Sequence, residues 1–169
     1  MTDLSKIPVT VITGFLGSGK TTLVRHLMQN PQGKRLAVIV NEFGDVGVDG
    51  EILKSCAIPD CPEENILELA NGCICCTVRG DLIRILSGLM KRSGDFDGIL
   101  VETTGLADPG PVAQTFFVDE DISARTKLDA ILTVVDAKHL ALEIDRAPEA
   151  QEQIAFADIV VLNKIDTVS

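Results

Sequence analysis

The sequence predicts an α/β fold of three layers, with helices on both faces of a mostly parallel central sheet. Three observations carry this expectation. Short, continuous, β-branched runs recur at Val9–Ile12, Ala37–Val40, Ile99–Val101, Ala130–Val135 and Ile159–Leu162, as suits strands buried on both faces, where neither side meets water. Between them lie stretches with apolar residues three or four apart, such as Leu23, Val24, Leu27 and Met28, and again Leu82, Ile83, Leu86, Leu89 and Met90. That spacing lays an apolar stripe along a helix. Finally, Gly14-Phe15-Leu16-Gly17-Ser18-Gly19-Lys20-Thr21 follows the first run directly and opens the first helical stretch, which is the setting of a P-loop. A three-layer P-loop NTPase is expected, as one domain over residues 1–169, a length that buries one substantial core.

In chain order, the first strand delivers a glycine-rich turn into a helix N-terminus, where backbone N–H groups and the helix dipole favour phosphate. Gly14, Gly17, Ser18, Gly19, Lys20, Thr21 and Thr22 are the candidate phosphate-binding residues. Lys20 is placed to reach the β- and γ-phosphates, and the Thr21 hydroxyl to meet Mg²⁺. The second strand runs into Asn41-Glu42-Phe43-Gly44-Asp45-Val46-Gly47-Val48-Asp49-Gly50, a segment of glycines and carboxylates that suits a switch loop or an acidic solvated turn. After the Val101 strand comes Glu102-Thr103-Thr104-Gly105; here a carboxylate can hold Mg²⁺ through water while the Gly105 N–H senses the γ-phosphate. Glu42 and Glu102 are the candidates for positioning the attacking water. The last apolar run ends in Asn163-Lys164-Ile165-Asp166. An aspartate there can accept from both N1–H and the exocyclic amine of guanine, donors that adenine lacks, so GTP is expected over ATP.

The net charge of −10 opposes the counterion release that nucleic-acid binding exploits, so nucleic acid and anionic membranes are disfavoured as partners. No run approaches the roughly 18 apolar residues of a membrane span, and residues 1–8 lack a signal-peptide pattern. A cytoplasmic protein is expected, and its five cysteines are then read as thiols. Cys73, Cys75 and Cys76 form a CxCC cluster behind Asn71-Gly72, with Cys56 and Cys61 upstream. Thiolates suit Zn²⁺, Co²⁺ or Cu⁺ far better than Mg²⁺. Three ligands leave a shell for Glu42, Asp45, water or a partner to complete, as a transfer site tolerates; packing thiols and a redox pair are the other readings. His26 and His139 are expected to be structural or exposed.

Taken together, Gly14 to Thr21, Asn41-Glu42-Phe43-Gly44, Asn71-Gly72-Cys73-Ile74-Cys75-Cys76, Glu102-Thr103-Thr104-Gly105 and Asn163 to Asp166 resemble the GTPase domain of the CobW-type metallochaperone family. The resemblance covers nearly the whole chain. It implies GTP-dependent acquisition and delivery of a transition metal, Zn²⁺ or Co²⁺; because no arginine finger is assignable in the sequence, slow intrinsic GTP turnover is expected. Cys61-Pro62-Glu63-Glu64-Asn65 with the cysteine motif looks closest to the cobalt branch serving cobalamin synthesis, whereas Ala107 to Thr115 is shared with zinc-handling members. Val40 stands where some members carry a further acidic ligand. A client metalloenzyme or cobaltochelatase-type protein is the implied partner, with a nucleotide-dependent homodimer as another. In this reading Mg·GTP draws Glu42 toward the γ-phosphate, brings the thiols into ligand geometry and so raises metal affinity. A regulatory GTPase without metal transfer and a structural or storage zinc module remain open. The sequence ends three residues past Asp166, and a truncated domain without the family's carboxy-terminal domain is expected.

Overall fold

A computed structural model describes residues 5–30, 32–41, 66–69, 77–91, 96–103 and 105–169. Its strands are β1 (Ile7–Thr13), β2 (Leu36–Asn41), β3 (Ile66–Leu69), β4 (Gly98–Glu102), β5 (Thr126–Asp136) and β6 (Ile159–Asn163). The helices are α1 (Lys20–Gln29), α2 (Thr77–Met90), α3 (Pro109–Val118), α4 (Glu120–Arg125), α5 (Leu140–Arg146) and α6 (Pro148–Ala155). The strands form one sheet in the order β3-β2-β4-β1-β5-β6, and each of its pairings is parallel.

Alternation along β1 divides the core into two. Val9 and Val11 face Leu82, Leu86 and Leu89 of α2, Val112, Ala113 and Phe116 of α3, and Ile122 of α4. Ile12 turns the other way, into a cluster with Val24 and Met28 of α1, Val38, Leu100 and Val134. Helices therefore cover both faces, which is why the strand sequences are apolar throughout rather than alternating. Side chains in these clusters are almost wholly excluded from water, and each buried Val, Leu, Ile, Phe or Met contributes on the order of 1.5–3 kcal/mol.

Two elements depart from the expectation. The short edge strand β3, Ile66-Leu67-Glu68-Leu69, was not foreseen, because four residues interrupted by a glutamate leave no continuous run to read. β6 was expected to be buried on both faces, yet Ile159, Val160 and Leu162 are 50%, 51% and 53% exposed. It is the edge strand beyond β5 and pairs on one side only among the described residues.

The chain goes from β1 to β2 and β3 on one side of the sheet, returns through β4, then passes to β5 and β6 on the other side. The order reverses beside β1. In open parallel sheets ligands gather at such a switch point, beyond the carboxyl ends of the strands. Thr13, Glu102, Asp136 and Asn163 all lie at those ends.

Candidate nucleotide-binding site

The turn from β1 into α1 is built for close approach. Gly14 and Gly19 have φ of 152° and 105°, and a Cβ on either would strike a neighbour. On Gly14 it would run into the Val134 carbonyl oxygen and lie 2.7 Å from Ser18 Oγ, and on Gly19 it would run into Asn163 Nδ2. Only glycine takes such backbone without strain. The Ser18 N–H donates to the Phe15 carbonyl at 3.1 Å, and Lys20 Nζ donates to the same oxygen at 3.2 Å. α1 begins without a side-chain cap and without an acidic residue in its first turn, so its leading N–H groups keep their affinity for an anion. Ser18 Oγ is buried with no hydrogen-bond partner among the described residues. Glycine cradle, uncapped helix start and orphaned hydroxyl together fit a phosphate chain. Thr22 is exposed on α1.

Beside the turn, Glu102 closes β4 at 2% exposure and its Oε1 accepts from Thr21 Oγ1 at 2.8 Å. The Thr103 N–H donates to the Ile12 carbonyl at 2.9 Å, which extends the β4–β1 pairing and holds the carboxylate against the P-loop. A hydroxyl and a buried carboxylate in contact are hard oxygen donors of the kind Mg²⁺ takes. Gly105 is buried against the P-loop; a Cβ there would come within 2.7 Å of the Leu16 amide nitrogen.

The Asn163–Asp166 segment fastens the other side. Asn163 Nδ2 donates to the Ser18 carbonyl at 2.9 Å, and Lys164 Nζ donates to the Gly17 carbonyl at 2.5 Å. Lys164 itself has φ 56°, a left-handed conformation that persists only where surroundings over-determine it. From it the chain enters one 3₁₀ turn, Ile165–Thr167, which carries the exposed Asp166.

Asp136, at the end of β5, was missed by the sequence reading. Its Oδ2 accepts from Lys164 Nζ at 3.0 Å and contacts His139 Nδ1 at 3.0 Å, while Oδ1 accepts from the Lys138 and His139 N–H groups at 3.0 and 3.2 Å. The His139 side chain, then Lys164 and the two backbone donors, hold this carboxyl far below the usual carboxylate range against the opposing cost of burial. Burial first, and the Asp136 charge second, push Glu143 on α5 upward. A signal was available: Val135-Asp136 sets a carboxylate at the end of an apolar run, as Glu102 does. His139 is exposed at the N-terminal boundary of α5, and His26 is exposed on α1, in keeping with their expected roles.

The structure thus brings together Gly14, Gly17, Ser18, Gly19, Lys20, Thr21, Glu102, Gly105, Asn163 and Lys164. Glu42, Asp45, Cys73, Cys75 and Cys76 lie outside the described residues. Among the described residues no three His, Cys, Asp or Glu side chains converge as metal ligands, and no helix is long and apolar enough to cross a membrane.

The profile described as "CobW/HypB/UreG, nucleotide-binding domain" matches residues 8–169. The chain belongs to this family. Within it, the chain is 45% identical to "Zinc chaperone CobW" of Pseudomonas aeruginosa over 98% of its own length and 51% of that protein. It is 44% identical to "Zinc-regulated GTPase metalloprotein activator 1" of Schizosaccharomyces pombe, over 98% of the chain and 41% of the relative. The crystal structure of Zn(II)-bound YjiA GTPase from E. coli superposes with a TM-score of 0.69 at 34% identity, covering 96% of this chain and 50% of that one. The chain spans about half the length of the curated relatives it matches.

Proposed function

We propose that this domain binds Mg·GTP, hydrolyses it slowly to GDP and phosphate, and uses the cycle to load and release a transition-metal ion for a client protein. The observation that carries the nucleotide half is the joint fastening of the P-loop. Asn163 and Lys164 donate to Ser18 and Gly17, so the guanine-reading segment and the phosphate cradle form one preformed surface. In this reading Lys20 neutralises the β- and γ-phosphates, the α1 N–H groups hold the phosphate oxygens, and Asp166 selects guanine. Thr21 and Glu102 would hold Mg²⁺, which would supply neutralisation of the phosphate charge when bound. Water attacks the γ-phosphorus as the bond to the β–γ bridging oxygen breaks, with Glu42 or Glu102 orienting it.

The metal half is supported by the composition of the Cys73-Ile74-Cys75-Cys76 segment and by the zinc named for the relatives. Zn²⁺ is the cargo we assign to the three thiols, with Asp45 as a further ligand and Co²⁺ as the competing ion. The deciding experiment titrates Zn²⁺ and Co²⁺ into the protein loaded with a non-hydrolysable GTP analogue or with GDP. Affinity should rise at least about tenfold in the GTP-like state, a coupling of ordinary allosteric size, and Cys75→Ser should abolish the difference. Equal affinity in both states would leave a plain GTPase, and retention of zinc regardless of nucleotide would leave a storage module. Asp166→Asn should weaken GTP about 10- to 100-fold, the usual cost of losing a charge-assisted pair.

A further inference from the structure

α6 is largely exposed, but its Gln153 is 1% exposed and its amide points into the loop after β4. Nε2 donates to the Gly105 carbonyl and to the Ala107 carbonyl, each at 3.1 Å. One amide nitrogen carries two hydrogens, so this pair of carbonyls uses both. The helix is tied to the sheet at the same residue, since Thr133 Oγ1 of β5 donates to the Gln153 carbonyl at 2.7 Å. That carbonyl belongs to the last turn of α6, where intrahelical partners run out.

Two carbonyls converging on one donor fix how the intervening backbone faces. No cis peptide occurs among the described residues, and in a trans peptide the N–H points opposite to its carbonyl. The Leu106 and Asp108 N–H groups are therefore turned away from Gln153. On the far side Gly105 lies so close to Leu16 that no Cβ would fit. The segment is held between the P-loop and one buried glutamine.

We infer that Gln153 is a positioning residue for the γ-phosphate: by gripping Gly105 and Ala107 it presets the loop that distinguishes a nucleoside triphosphate from a diphosphate. The inference rests on the nucleotide reading above and adds to it that the discrimination is set from α6, outside the phosphate-binding motifs. Because GDP has no γ-phosphate, loss of the grip weakens triphosphate binding selectively.

The test compares wild type with Gln153→Met, which keeps side-chain length and removes both donors. The expected result is about a tenfold or greater loss of affinity for a non-hydrolysable GTP analogue, as two lost hydrogen bonds imply, with GDP affinity within about twofold of wild type. A parallel loss for both nucleotides marks a merely structural glutamine and overturns the inference, as does unchanged affinity for both. Amide hydrogen exchange in the wild-type protein gives an answer independent of the variant's folding. Peptides spanning residues 148–157 should exchange more slowly with the GTP analogue than with GDP, and identical exchange overturns the inference. A wild-type protein that binds neither nucleotide overturns the underlying reading instead.

Discussion

At the carboxyl end of the sheet Asp136 gathers donors from Lys164, His139 and two backbone N–H groups. At the amino end Asp97 gathers a comparable set from Arg35, its one donor among the described residues, whose N–H, Nε and Nη2 donate at 2.8, 3.2 and 3.2 Å. Both carboxyls are held below the ordinary range, Asp97 chiefly by the Arg35 side chain. Their surroundings differ: the Asp136 side chain is 5% exposed, whereas Asp97 and Arg35 are 41% and 58% exposed. In the second pair both partners are open to water; in the first the carboxylate is covered while Lys164 and His139 stay 41% and 54% exposed, so screening weakens the second pair more. The buried cluster also has more to connect. Asp136 joins the ends of β5 and β6 and, through Lys164, the P-loop, while Arg35 and Asp97 staple only the starts of β2 and β4.

If the carboxyl end is the working end, the largest effect should follow from removing its central charge. Lys20→Ala is expected to lower affinity for GTP about 100-fold, the scale of one or two charge-assisted hydrogen bonds to phosphate, with the melting temperature nearly unchanged. Isothermal titration of the folded variant measures it, and wild-type affinity would move the phosphate site elsewhere.

Next in size is Asp136→Asn, which should cost about 1–3 kcal/mol near pH 7 by leaving Lys164 and its neighbours with an inferior acceptor in a buried site. The pH dependence has a definite sign. A carboxyl depressed from its ordinary 3.8 stabilises the fold at every pH above the unfolded value, and the contribution is lost as pH falls below about 4. The gap between wild type and Asp136→Asn in denaturant unfolding should therefore close as pH falls below about 4. A gap that instead widens below about pH 4 would assign the cluster the wrong polarity.

The same contrast explains what could be read in the sequence. β1, β4 and β5 were legible because strands covered on both faces must be apolar without interruption, and Gly14 to Thr21 because phosphate binding needs glycine at fixed spacing. Asp136 was not, because a lone aspartate after a strand has the same local signature as a turn residue; its role comes from Lys164, 28 positions away. Gln153 was hidden for the same reason. Nothing in Glu152-Gln153-Ile154 says that the helix turns its amide toward carbonyls 46 and 48 residues earlier. Local pattern predicts elements, while partners brought together by strand order need the fold.

The smallest effect should come from Arg35→Ala. The pair has good geometry, but each member keeps its hydration, and the arginine loses side-chain freedom in making the bridge. The Asp97 N–H to Arg35 carbonyl bond at 2.8 Å survives the substitution, so the strand starts stay stapled by backbone. Stability should change by an amount barely above measurement error in low salt, and by nothing resolvable in about 1 M NaCl, where the screening length falls to about 3 Å. The Asp136→Asn deficit should fall less in that salt, because the carboxylate is 5% exposed and two of its donors are backbone N–H groups that carry no mobile charge. Equal salt sensitivity at the two sites would mean that Asp136 is hydrated in solution, and burial would then no longer distinguish the two ends of the sheet.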